Sequence, residues 1–178
     1  PPTATYIIGA VVIVGPMTKL GVNPWVAHFF VFLLSVWGEL SPPTSLTAAI
    51  SAKIAEAPFM KTMWEALRIC LPITLMTFAI FSRSEIVVHP GWTQIGSTIV
   101  VTIGTFGTAL AMFGRLINNK VWDFLLRTVL MLVAFVALFH PDDTVSAITA
   151  AFVLVAIVFG VIRHRRIGPK ELQAQPAG

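Results

Sequence analysis

The segment Gly38-Glu39-Leu40-Ser41-Pro42-Pro43-Thr44 breaks an otherwise apolar stretch into two short pieces. Residues 26–37 before it would make roughly 18 Å of helix, and residues 45–57 after it a similar length. Each piece is about half of a hydrocarbon core that is roughly 30 Å thick. A polar, Pro-Pro segment between two half-helices would leave backbone groups unpaired at mid-membrane. Lipid offers them no hydrogen bonds, so such a segment has to be buried in protein or line a wet cavity. A short interrupted helix of this kind marks the binding site of secondary transporters.

Composition supports the membrane premise. Of the 178 residues, 56% are hydrophobic and 11% charged, against about 25% charged in a soluble domain. The apolar residues fall in blocks. Residues 67–81, 92–113, 121–139 and 144–162 form four separate runs, and the last three are long enough to span. Residues 6–20 form a shorter run. The expected architecture is all-α and polytopic, with five to six membrane elements, one of them a discontinuous helix.

The chain opens Pro1-Pro2-Thr3, without initiator Met, charged leader or cleavage site. No signal peptide is expected, and the chain reads as a fragment whose earlier membrane helices are missing. The lone cysteine, Cys70, sits in an apolar run, excludes an internal disulfide and reads as a packing residue.

Charge placement predicts orientation. With the basic tail Arg163-His164-Arg165-Arg166 in the cytoplasm, only Lys19 and Arg83 of the twelve Lys and Arg residues fall outside. The loop His140-Pro141-Asp142-Asp143 then lies outside with no Lys or Arg. This is the positive-inside pattern. The pI near 9.7 therefore reflects membrane topology, and no basic face with interleaved aromatics suggests nucleic acid.

The sequence divides into three parts. Residues 1–81 carry the Pro-Pro motifs and the broken helix, residues 92–162 three plain spans, and residues 163–178 a basic polar tail. Within the first part, residues 58–67 are amphipathic. Phe59, Met63, Ala66 and Leu67 share one helical face, and Lys61 and Glu65 another. This predicts a helix in the inner interface that feeds the next span, with Pro72 kinking that span or marking its start. In the second part the spacing of Gly104, Gly107, Ala111 and Gly114 predicts close helix packing. Asp123 and Arg127, four apart, should pair. Trp92 and Trp122 read as interface anchors.

Pro1-Pro2-Thr3-Ala4-Thr5 and Pro42-Pro43-Thr44-Ser45 both precede apolar helices. Proline suits a first helical turn, and Ser41 would cap a helix starting at Pro42. Two helix N-termini facing one cavity would attract an anion. The carbonyl end of the preceding half-helix, near Trp37 and Gly38, would suit a cation. With the Thr44 and Ser45 hydroxyls nearby, the segment is a candidate Na⁺ and carboxylate site. Glu39, ionisable at mid-membrane depth, is either an ion ligand or a structural partner.

These residues carry a family resemblance. His28-Phe29-Phe30-Val31-Phe32, followed by Gly38-Glu39-Leu40-Ser41-Pro42-Pro43-Thr44-Ser45-Leu46, resembles the large permease component of tripartite ATP-independent periplasmic (TRAP) transporters, in particular the fused permease of the TAXI branch. Pro58, Lys61-Thr62, Ala66-Leu67-Arg68 and Leu71-Pro72 are similar too. Pro1 to Tyr6 resemble the tip of that family's second re-entrant hairpin. The resemblance covers roughly residues 1–81, and the remainder corresponds only to extra C-terminal helices.

The resemblance implies an elevator-type secondary transporter of the bacterial inner membrane, with one of its two inverted repeats present here. It implies Na⁺ as coupling ion, no other cofactor, and uptake of an organic acid. A periplasmic solute-binding protein would deliver the acid, and a small permease subunit, separate or fused, would be a partner. Carried over by position, Pro1, Pro2, Thr3 and Ala4 are hairpin-tip residues. Gly38, Glu39, Ser41, Pro42, Pro43, Thr44 and Ser45 belong to the broken-helix site, with Na⁺ at Gly38, Ser41 and Thr44.

Other readings come from different classes. A membrane scaffold whose broken helix only packs is the alternative. An embedded enzyme would need a polar cluster at one depth in several helices, which the last three spans lack. His28, His89, His140 and His164 are scattered without ligand spacing, and no phosphate-binding loop is present.

Overall fold

The computed structural model describes residues 2–38, 45–114, 116–117 and 119–172. Every regular element among them is helical: α1 (Pro2–Gly9), a π-helical turn (Ala10–Val14), α2 (Gly15–Lys19), α3 (Pro24–Gly38), α4 (Leu46–Ile54), α5 (Phe59–Ser82), α6 (Glu85–Val88), α7 (Trp92–Phe113), α8 (Lys120–Phe139) and α9 (Asp143–Leu172). The chain is an all-α polytopic membrane protein. Phe59–Ser82, Trp92–Phe113, Lys120–Phe139 and Asp143–Ile162 are each long and apolar enough to cross a bilayer, and between 17% and 33% of each is buried. A water-soluble bundle hides its apolar residues. Here most of them face outward, as lipid-facing side chains do.

Two compact units emerge, residues Pro1–Thr98 and Ile99–Gly178. The boundary between these units falls inside α7, beyond a network at the start of that helix. Gln94 Nε2 donates to the Ile86 carbonyl at 2.8 Å, and Ser97 Oγ donates to Glu85 Oε1 at 3.0 Å. The guanidinium of buried Arg83 faces the same carboxylate. These bonds tie the first turns of α7 to α6, which packs on α3.

In the first unit, α1, the π turn and α2 run continuously from Pro2 and lie along α3. Gly21, with φ of +91°, reverses the chain between them. Gly9 permits the close approach, since a Cβ there would stand 2.7 Å from Val31 Cγ1. Val14, Ala27 and Val31 form the core of this pair, packed against Tyr6, Ala10, Met17 and Val22. The π turn is an extra-residue bulge in a helix, a feature frequent at functional sites.

The amphipathic segment and the span that follows it prove to be one helix, α5. Met63 is buried and Phe59, Ala66 and Leu67 are half-buried on the face that the periodicity predicted, and α5 packs on α3 and α4. Pro72 lies buried inside the helix, neither at its start nor at an end. Its missing N–H removes one backbone bond, and Thr74 and Thr77 donate back to the carbonyls of Cys70 and Ile73 in the same turns. Glu65 stands nearest Arg68, at 3.9 Å, on the exposed face that it shares with Lys61.

In the second unit the glycine spacing does what the sequence predicts. A Cβ on Gly104 would meet Leu138 Cδ2 at 2.7 Å, and one on Gly107 would collide with Val153 Cγ1. The buried core is Ala111, Leu116, Leu130, Ala134 and Val153. Asp123 and Arg127 pair at 3.8 Å and also close the α7–α8 connection. Asp123 Oδ1 accepts the backbone N–H groups of Leu116 at 2.6 Å and Ile117 at 2.8 Å. Arg127 donates to the Ala111 and Met112 carbonyls at the end of α7. A guanidinium and a carboxylate thus supply the partners that a helix terminus lacks.

Candidate functional site

Residues flanking the polar interruption are where two helix termini meet. α3 ends at Gly38 and α4 begins at Leu46, so the helix is discontinuous, as the sequence predicts. Glu39, Ser41, Pro42, Pro43 and Thr44 lie outside the described residues, as does Pro1.

The first turn of α1 meets the last turn of α3. A Cβ on Gly38 would stand 3.8 Å from Thr5 Cγ2, ordinary van der Waals contact. Thr3 and Ala4 are exposed on that first turn of α1. The first turn of α1 therefore sits beside the C-terminal carbonyls of α3, which carry partial negative charge. Sequence separates these two termini by more than thirty residues, and the antiparallel α1–α3 pair brings them together.

Higher in the same pair, the Tyr6 phenol and His28 Nδ1 lie 2.9 Å apart, half-buried. Tyr6 also meets Phe32 edge-on, with ring centroids 6.3 Å apart. His28 is thus held against α1, and it lies nearly three helical turns from the Gly38 end.

Ser45 is placed differently from expectation. Its backbone is extended (φ −66°, ψ 97°) and its Oγ accepts the Ala48 N–H at 3.0 Å. Ser45 is therefore the N-cap of α4, and the helix starts at Leu46. The expected start at Pro42 with a Ser41 cap is corrected on this point, because an extended residue 45 excludes a helix running through it. Ser45 is buried, with its acceptor already engaged by the cap. α4 packs on α5.

Trp37 has a role that sequence reading missed. Its Nε1 is buried and has no hydrogen-bond partner among the described residues. An indole N–H can only donate, and a buried donor left unpaired costs about 1–3 kcal/mol. The indole stands one residue before Gly38 and two before the interruption. A tryptophan at the end of an apolar run carries no such signal in sequence. Only burial reveals it.

Among the described residues, no group of three His, Cys, Asp or Glu side chains could hold a metal ion. Comparison with known proteins adds one finding. Residues 1–86 match the family model of the tripartite ATP-independent periplasmic transporter, DctM component. This segment, which is the first unit less its last turns, is therefore similar to the large membrane component of such transporters. No curated protein and no solved structure matches the chain.

Proposed function

We propose that this chain is part of the large permease component of a TRAP-type secondary transporter in a bacterial inner membrane. Its work is Na⁺-coupled uptake of an organic acid handed over by a periplasmic solute-binding protein, beside a small membrane subunit that is separate or fused. The observation that carries the proposal is the contact of the α1 N-terminal turn with the α3 C-terminus at Thr5 and Gly38, next to the helix interruption. It lies wholly within the segment that matches the family.

Thr3 and Ala4, exposed in the first turn of α1 beside Gly38, would take the carboxylate. The C-terminal carbonyls of α3 at Gly38 favour a cation, with the Ser41 and Thr44 hydroxyls and the Glu39 carboxylate as further oxygen ligands. The buried Trp37 N–H, without a partner among the described residues, is a further donor beside the break. The basic tail supports a cytoplasmic C-terminus under the positive-inside rule. Inward and outward exposure of this site by movement of the first unit would complete an elevator cycle.

The test is uptake by the full-length protein in proteoliposomes under an imposed Na⁺ gradient. Ser41→Ala, Thr44→Ala and Glu39→Gln should each lower Na⁺-dependent uptake by about tenfold or more, the equivalent of about 1.4 kcal/mol in ligand binding. Unchanged uptake in all three would refute the site and favour a scaffold.

A further inference from the structure

We infer that the groove between the end of α7 and the first half of α8 is a binding site for an anionic phospholipid, with Arg127 holding its phosphate. The groove encloses about 310 Å³ and is lined by Ala111, Met112, Phe124, Arg127, Thr128 and Met131, with Leu132 at its far end. Its walls are apolar and thioether side chains, apart from the Thr128 hydroxyl and one guanidinium. That is the composition of a site for a lipid, with an apolar channel and a single charged group at its polar end.

Arg127 is positioned for phosphate. Nε donates to the Ala111 carbonyl at 2.7 Å and Nη2 to the Met112 carbonyl, which fixes the plane of the guanidinium. Asp123 Oδ2 stands 3.8 Å from Nη1, beyond hydrogen-bonding distance. Asp123 instead spends Oδ1 on the backbone of Leu116 and Ile117. The side chain of Arg127 keeps 29% of its surface exposed, on the groove side. A guanidinium held flat with its outer edge accessible matches the fork geometry of phosphate oxygens.

Charge across the second unit commits the occupant to an anionic lipid. α8 and α9 are joined by the short turn at His140–Asp142 and pack side by side, so the start of α8 and the end of α9 share one end of the unit. That end carries Lys120 and Arg127 on α8 and Arg163, Arg165, Arg166 and Lys170 on α9, against Asp123 and Glu171. At the opposite end, residues 128–162 contain Asp142 and Asp143 and no Lys or Arg. Basic pockets between membrane helices on the basic side collect acidic headgroups in this way. Exposed Trp122, one turn before Arg127, sits at the level of a headgroup boundary. An acyl chain would run from Arg127 along exposed Leu132, towards the apolar middle of α8.

The test uses the full-length protein in detergent, incubated with equal phosphatidylglycerol and phosphatidylcholine of matched chains, with retained lipid counted by native mass spectrometry. The wild type should retain phosphatidylglycerol in preference by about fivefold. Thr128→Trp, which fills the groove and leaves the Arg127 bonds alone, should abolish the preference, and so should Arg127→Gln. Should Arg127→Gln fail to fold, Thr128→Trp decides. Preference surviving in Thr128→Trp, or absent from the wild type, overturns the proposal. Excess inorganic phosphate should leave the retained lipid in place. Full displacement would mean a free-phosphate site and would overturn the lipid assignment. A Thr128→Cys variant that cross-links to a protein helix in native membranes, and not to lipid, would do the same.

Discussion

Tyr6 and His28 join α1 to α3 through a contact of 2.9 Å between the phenol oxygen and Nδ1. The bond fixes the rotation of α1 about its axis. It keeps Gly9 against Val31 and the first turn of α1 against Gly38. A half-buried Tyr–His pair in an otherwise apolar interface is specific where packing alone is not.

Tyr6→Phe should leave the ring contact with Phe32 intact and remove the hydrogen bond. The expected loss is about 1 kcal/mol of stability, read as a lower thermal midpoint of the full-length protein in detergent. An unchanged midpoint would show that the pair contributes nothing to holding α1 on α3.

Gly107→Val should destabilise the second unit by about 1–3 kcal/mol, since a side chain there collides with Val153 and presses on Ala134. Gly96→Ala is the control. A Cβ at Gly96 meets nothing within 4 Å, so this change should be neutral or slightly stabilising. Equal effects at the two positions would sink the close-packing account.

Asp123→Ala should cost about 1–3 kcal/mol, because it strands the Leu116 and Ile117 N–H groups that Oδ1 accepts. Asp123→Asn keeps one acceptor and should recover much of the loss. Hydrogen exchange of those two amides gives the direct readout, with faster exchange expected in Asp123→Ala.

Ser45→Ala removes the N-cap of α4 and should lower stability by about 1 kcal/mol. Ser45→Asp restores a capping acceptor and should restore the midpoint. Should Na⁺-dependent uptake fall in Ser45→Ala and stay low in Ser45→Asp at normal stability, Ser45 contributes to the site beyond its cap.

Asp142 gives a pH prediction at the turn before α9. Its side chain accepts the Thr144 hydroxyl at 2.7 Å and the Thr144 N–H at 2.9 Å, and these bonds hold its carboxyl below the usual carboxylate value. A lowered folded-state pKa stabilises above the ordinary carboxylate pKa, and that contribution fades as pH falls through the lowered value. The stability of Asp142→Asn should therefore depend less on pH than the wild type's below about pH 4. Thermal melts across that range would show parallel curves if the bonds are irrelevant.

Much of the fold could be read before any coordinates. Run length located α7, α8 and α9, glycine spacing located their tight contact, and the polar interruption located the break between α3 and α4. Pro72 suggested a kink or a helix start, and since it lies inside α5 it is not the start. Pro42 suggested a helix start, yet Ser45 provides the cap. The unit boundary inside α7 lies beyond Gln94 and Ser97, which bond to a short helix whose importance no local pattern shows. The Ser45 cap is local chemistry within one turn of chain, whereas the bonds of Gln94 and Ser97 join separate helices.

The sequence by itself determined that this chain lives in lipid, because runs of apolar residues with half-length pieces around a polar break have few other solutions in a medium without water. Tertiary structure alone decided that Thr5 meets Gly38, that Arg127 and Asp123 seal the end of α7, and that the Trp37 N–H is buried beside the break. Each depends on how one segment packs on another, and the first joins residues more than thirty apart. Helical periodicity sets which face a residue occupies, but only the packing of one helix on another sets what that face will meet.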